Sequence, residues 1–444
     1  MTEDYAPDVI AAAPELGAHF PTALPRRFVV AATIGNALEF YDFITYAFFA
    51  IQIGHAFFPS HNAYGSLMLS LATFGVGFVT RPIGGVIIGA YSDRVGRRPA
   101  MMLSFTMMGV AIIGLAIIPP YAKIGVAAPI LAILARMLQG FSLGGEVGPT
   151  TAYLLEAAPL KGRGLAVSWQ GASQGIAATL GGLVGVALSL VMPPAALDAY
   201  GWRIAFLLGA VTLPFGLWIR RGLRETLHAP EPGQAASDGH DTFALLRANS
   251  RIIVLALMVL AAGTIGTYVQ NYMTTFAQAT LHMRPGVSFL GSAMGNLSGI
   301  AAVLLGGWLS DRRGRRPVMI VSNLAYLVLI LPIFYWIVDV RSAFALIAGS
   351  TALGIASTLS TGAFYAAVTE TLPKRIRGRT FATIYATAIA LFGGTTQLVI
   401  TWLIKTTGSP MAPAFYLLGA TVIGQVAILL ILESAPAKLA PIPA

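Results

Sequence analysis

The chain has 444 residues, 56% of them hydrophobic and only 10% charged, with no cysteine and a formal net charge of +10. Soluble globular chains carry about 25% charged residues, so this composition excludes an ordinary soluble enzyme, and the missing cysteine excludes disulfides and thiolate metal sites. The positive charge sits in short segments between apolar runs, the pattern of basic loops flanking membrane spans rather than of a nucleic-acid-binding face.

Residues 1–27 are acidic and proline-containing (Glu3, Asp4, Asp8, Glu15), lack the basic start of a signal peptide, and read as a cytoplasmic tail. Apolar runs of roughly 20 residues, the length that crosses a bilayer, then recur to residue 433. They do not alternate apolar and polar residues as barrel strands do. Backbone in lipid must also satisfy its own hydrogen bonds, so the runs are expected to be helices. They fall at 28–57, 66–91, 100–119, 124–155, 163–191, 203–220, 251–281, 286–310, 317–338, 342–371, 379–406 and 412–433. Residues 222–250 carry Glu231-Pro232-Gly233 and Ser237-Asp238-Gly239 and read as a cytoplasmic linker between two six-helix bundles, 28–221 and 251–433. Residues 434–444 form a second cytoplasmic tail. With both ends inside, the inner loops hold 18 Lys and Arg and the outer loops 5, and that bias predicts the orientation.

The two halves repeat. Gly89-Ala90-Tyr91-Ser92-Asp93-Arg94-Val95-Gly96-Arg97-Arg98 follows the second span, and Gly307-Trp308-Leu309-Ser310-Asp311-Arg312-Arg313-Gly314-Arg315-Arg316 follows the eighth, 218 residues on. Glu156-x-x-Pro159-x-x-x-Arg163-Gly164 after the fourth span matches Glu370-x-x-Pro373-x-x-x-Arg377-Gly378 after the tenth, 214 residues on. Two motif pairs at nearly one offset argue for duplication, and parallel repeats of this kind place a binding site between the halves near the bilayer midplane. Asp93, Arg94, Arg97, Arg98, Glu156 and Arg163, with their counterparts Asp311, Arg312, Arg315, Arg316, Glu370 and Arg377, are the expected gating residues. They would cap helix ends and pair with basic loops in one conformation only.

The paired Gly-x-x-x-Asp-Arg-x-Gly-Arg-Arg loops resemble the signature of the major facilitator superfamily. Further stretches resemble its metabolite:proton symporters, in particular the citrate and tricarballylate carriers. These are Leu38-Glu39-Phe40-Tyr41-Asp42-Phe43, Arg81-Pro82-Ile83-Gly84-Gly85, Arg136-Met137-Leu138-Gln139-Gly140 through Glu146, Ser168-Trp169-Gln170-Gly171-Ala172-Ser173-Gln174 and Leu391-Phe392-Gly393-Gly394. The resemblance covers about residues 28–433. It implies an all-α membrane protein with 12 transmembrane helices in two bundles. It also implies alternating access driven by the proton gradient, with no cofactor.

Ionisable residues inside spans are costly and mark functional pathways. Those here are Glu39, Asp42, Arg81, Arg136 and Glu146, all in the first half. Arginine keeps its proton and binds carboxylates through two parallel hydrogen bonds, so Arg81 and Arg136 are candidate ligands for a small organic anion. Their alternative role is permanent pairing with Asp42 or Glu39. Glu39, Asp42 and Glu146 are the acids able to titrate and carry protons. Gln139, Gln170, Gln174, Asn271, Tyr272 and Tyr365 are candidate hydrogen-bond partners of substrate, the alternative being bonds between helices. No phosphate-binding Gly-rich loop, metal cluster or sizeable soluble domain accompanies them. The expected function is proton-coupled import of a di- or tricarboxylate by a monomer in the inner membrane. A proline/betaine-type zwitterion symporter and a drug:proton antiporter are the alternatives.

Overall fold

The computed structural model describes residues 26–60, 62–95, 97–144, 162–211, 213–214, 247–372 and 377–435. Among these there is no strand. The spans are α1 (Arg26–Phe48, continued by Ala50–Phe57), α2 (Ala63–Val95), α3 (Arg97–Ile117), α4 (Ala127–Leu143), α5 (Arg163–Val191) and α6 (Trp202–Ala210). The second half has α7 (Ser250–Ala279), α8 (Pro285–Arg313), α9 (Arg315–Val340), α10 (Ala343–Thr358, continued by Thr361–Thr371), α11 (Arg377–Thr407) and α12 (Ala412–Leu430). Eight described helices are long and apolar enough to cross a bilayer, and stretches within α3 and α4 are shorter apolar helices. α1 is broken at Phe49 (φ −102°, ψ 21°), and α6 runs out of the described residues.

Local chemistry sets the ends. α8 opens on Pro285, whose missing N–H costs nothing in a first turn. α10 is capped by Ser342, whose hydroxyl accepts from the Ala345 N–H at 3.1 Å. The repeated Asp-Arg motif differs from the expected loop: α8 stays helical through Asp311, Arg312 and Arg313. Only Gly314, at φ +102°, breaks the chain before α9 begins, a conformation that favours glycine. The motif is therefore the last turn of one helix and the first of the next, so its charges are held rigidly.

The helices pack as two related sets. Between the halves, α5 packs along α8, and α2 packs against α11. The repeat equates α2 with α8 and α5 with α11, so these two contacts are symmetry mates. α2 and α4 approach through glycine: Gly140 lies against the Gly77 carbonyl and Gly144 against the Arg81 carbonyl, and neither site has room for a Cβ. Thr80 Oγ1 donates to the Met137 carbonyl at 2.8 Å across the same seam. This close seam carries Arg81 on one helix and Arg136 on the other.

Candidate functional site

Phe74, Phe78 and Arg81 stand at i, i+4 and i+7 on α2, one face of the helix. Pro82 follows at once and lacks the N–H that would bond the Phe78 carbonyl, which loosens the helix at Arg81. The Arg81 guanidinium lies over the rings of Phe78 (4.6 Å) and Phe43 (4.4 Å). Arg136, wholly buried, lies over Phe43 (4.6 Å), Tyr46 (4.5 Å) and Phe74 (5.1 Å). Measured at 4.4 Å and 4.6 Å from one ring centroid, the two guanidinium carbons are no more than about 9 Å apart. Arg136 Nη1 donates to Gln139 Oε1, and Nη2 reaches the Phe74 carbonyl at 3.5 Å. Yet Nε of Arg136, Nε and Nη2 of Arg81, and Nε2 of Gln139 are buried with no hydrogen-bond partner. Each cation–π contact is worth ~0.5–2 kcal/mol, less than the several kcal/mol that desolvating a guanidinium costs. The geometry holds the charges in place and leaves these donor nitrogens without a partner, although neither arginine is among the residues that line the cavity between the halves.

Asp42 is also buried, but it points elsewhere. Its Oδ1 lies against Gly209 of α6, leaving no space there for a Cβ, and has no hydrogen-bond partner. Arg136 feels the charge of Asp42, but no ion pair joins them among the described residues. Beside Arg136, aromatic rings stand where the alternative reading placed Asp42. Helix spacing alone does not separate them, since Tyr46 neighbours both Phe43 at i, i+3 and Asp42 at i, i+4 on α1. The side chain of Glu39, and Glu146 altogether, lie outside the described residues.

Across the seam between the halves, Tyr268 of α7 packs edge-on against Phe78 (5.6 Å) and Phe74 (6.1 Å). α11 closes on the same place through a π-helical turn, Ile389–Gly393, with Gly393 against Tyr268 and Gly394 against Gly75. Tyr268 and Tyr385, whose phenols feel the Arg81 charge, line a cavity of about 130 Å³ with Gln174, Asn271, Asn296 and Tyr365. Gln174 Nε2 donates to the Tyr385 hydroxyl at 3.0 Å, bridging α5 and α11, and Asn296 Nδ2 reaches Asn271 Oδ1 at 3.4 Å. The remaining candidates face other partners. Gln170 reaches Asn36 Oδ1 at 3.4 Å, and Tyr272 shares a 2.8 Å bond with Thr401. Gln397 is fully buried with both amide atoms unpartnered.

The first half matches the model described as sugar (and other) transporter over residues 28–228, and the second matches the major facilitator superfamily model over 286–444. Citrate-proton symporters of Salmonella typhi and Klebsiella pneumoniae are each 35% identical, covering 90% of this chain and 92% and 90% of theirs. This chain belongs to the major facilitator superfamily. A glycine betaine/proline/ectoine/pipecolic acid transporter of Dickeya dadantii is 31% identical over 92% of this chain and 84% of its own. The crystal structure of a D-xylose-proton symporter superposes with a TM-score of 0.72 at 17% identity, covering 93% of this chain and 98% of the other, which shows the shared twelve-helix fold.

In this transporter the basic end is joined by a charge network. The Asp311 carboxylate accepts the backbone N–H groups of Gly164 (2.8 Å) and Leu165 (3.0 Å), so a residue of α8 caps the start of α5 in the other half. Asp311 also holds the buried Arg315 (2.6 Å), which in turn holds Glu370 of α10 (3.0 Å). Glu433 accepts the N–H groups of Arg315 (2.8 Å) and Arg316 (3.1 Å) at the start of α9; this residue was not among the sequence-derived candidates. Arg312 stacks on Trp308 at 3.9 Å, Arg163 opens α5, and Arg94 is exposed. Glu156 and the side chains of Asp93, Arg97, Arg98 and Arg377 lie outside the described residues. At the opposite end the halves also touch: Gln52 donates to Gln278 at 3.3 Å, and Phe49 packs on Phe289 at 4.9 Å. With contacts at both ends and a cavity below the ~300–1,000 Å³ of typical ligand pockets, the halves must part to admit a substrate.

Proposed function

We propose that this transporter is a proton-coupled importer of a small di- or tricarboxylate of the citrate type. The observation that carries the reading is the pair of buried guanidiniums, Arg81 and Arg136, set close together with donors that no protein group satisfies. A zwitterion or a lipophilic cation does not complement two fixed positive charges; an anion with two or more carboxylates does. The similarity to two citrate-proton symporters supports the same substrate class. Gln139, Gln174, Asn271 and Tyr365 would complete the site, with Gln170 and Tyr272 bracing it. A di- or trianion entering a negative interior works against ~2.3 kcal/mol per charge per 100 mV, so protons must enter with it. Asp42, within electrostatic reach of Arg136, is the acid proposed to carry one, with Glu39 and Glu146 as further carriers.

The protein would sit as a monomer in the inner membrane, with the Arg-rich end and both termini in the cytoplasm and with 28–221 and 251–433 rocking about the site. A second reading, transport of a betaine-like zwitterion, is favoured by the aromatic lining of Phe364, Tyr268, Tyr365 and Tyr385, since quaternary ammonium groups bind aromatic faces. The test is uptake of radiolabelled citrate into proteoliposomes under an imposed inward proton gradient, with competing acids and betaine. Gradient-driven accumulation displaced by tricarballylate is expected. Uptake of betaine with no citrate uptake would select the second reading.

A further inference from the structure

The geometry points to Phe43 as a specificity-determining residue, a ring that spaces Arg81 from Arg136 so that the site demands two carboxylates rather than one. This rests on the carboxylate reading above. Three observations carry it. First, Phe43 is the one ring over which both guanidiniums lie, at 4.4 Å and 4.6 Å, among the described contacts. Second, its position is fixed by its own packing against Phe74 (4.8 Å) and edge-on against Phe78 (4.6 Å), with 1% exposure. Those two rings are also the further supports of Arg136 and Arg81. Third, each guanidinium keeps an unpartnered Nε, and Arg81 an unpartnered Nη2 as well.

Two buried like charges repel, and a single carboxylate would draw both arginines onto itself and relieve that repulsion. A ring over which both guanidiniums lie, itself held by two other rings, resists that convergence. A monocarboxylate then satisfies one arginine and leaves the other on its ring, whereas a diacid satisfies both. The quadrupole of the ring also lowers the cost of the waiting guanidinium. Phe43 is thus a positioning element, and it discriminates by what it prevents as much as by what it supports.

The test is competition binding in detergent, comparing tricarballylate with acetate on the wild type and on Phe43→Leu, which keeps apolar bulk but has no π face. The readout is the ratio of the two affinities within each variant, so a general loss of stability does not enter it. In Phe43→Leu the ratio is expected to fall about tenfold, the worth of one desolvated cation–π contact, with Phe43→Tyr restoring it. Should Phe43→Leu not fold, Phe43→Met removes the ring with a flexible side chain and carries the same expectation. An unchanged ratio in a folded ring-less variant overturns the role of Phe43 while leaving the carboxylate reading intact. A wild type that binds neither acid overturns both.

Discussion

At the scale of single residues, the site separates two jobs that charge alone would merge. The arginines rest on rings, and Asp42 lies against Gly209 of α6. With no ion pair between them, protonation of Asp42 is expected to act on Arg136 through the field rather than by breaking a contact. Asp42→Asn should mimic the protonated form: exchange of labelled for unlabelled substrate persists, and accumulation against a gradient is lost. Accumulation that still follows an imposed pH gradient would remove Asp42 from the coupling step and leave Glu39 or Glu146. Arg136→Lys should lower affinity by roughly a hundredfold or more, because an ammonium cannot reproduce two charge-assisted bonds of about 1.5–3 kcal/mol each. Equilibrium binding in detergent checks it, and near-normal affinity would place Arg136 among the packing residues.

At the scale of helices, two contacts govern the site and its motion. The α2–α4 seam sets how closely the two arginine-bearing helices approach through Gly140, where an added methyl would meet the Gly77 carbonyl. Gly140→Ala is expected to cost about 1–3 kcal/mol by overpacking, read as a lower unfolding temperature in detergent together with weaker substrate binding. The Asp311 cap ties α8 to the start of α5. A carboxylate at a helix N-terminus is worth about 1–2 kcal/mol, so Asp311→Asn should shift the balance between closed and open basic ends about tenfold. Turnover should change far more than affinity. If exchange rates match the wild type, the motif serves only membrane insertion. Asp93 is the counterpart of Asp311 in the repeat and an expected gating residue, and Asp93→Asn should slow turnover likewise.

At the scale of the molecule, α5–α8 and α2–α11 are one contact repeated, the arrangement expected of parallel repeats that rock about a site between them. The absence of cysteine makes orientation directly testable. Exposed Arg313 stands at the basic end and exposed Thr407 at the other. In intact cells an impermeant maleimide should label Thr407→Cys and leave Arg313→Cys untouched until the membrane is permeabilised. The reverse pattern would invert the topology.

The sequence by itself determined the helices, because a bilayer imposes one length and one hydrogen-bonding solution on any apolar run. The expected span 163–191 coincides with α5, and 342–371 differs from α10 by one residue. The duplication was equally legible, since repeated motifs are a pattern along the chain. Arg81 and Arg136 were legible as costly charges within apolar runs. What stands beside them was not. Which face of α1 meets α2 and which meets α6 depends on how the helices rotate in the bundle, and that follows from glycine contacts such as Gly77–Gly140 and Gly209–Asp42. The partner of Asp311 was hidden for the same reason: it is a backbone amide at the start of α5, and backbone groups leave no mark in a sequence. Only the packed bundle decided that the arginines lie on rings and that the basic end is held by a helix cap joining the two halves.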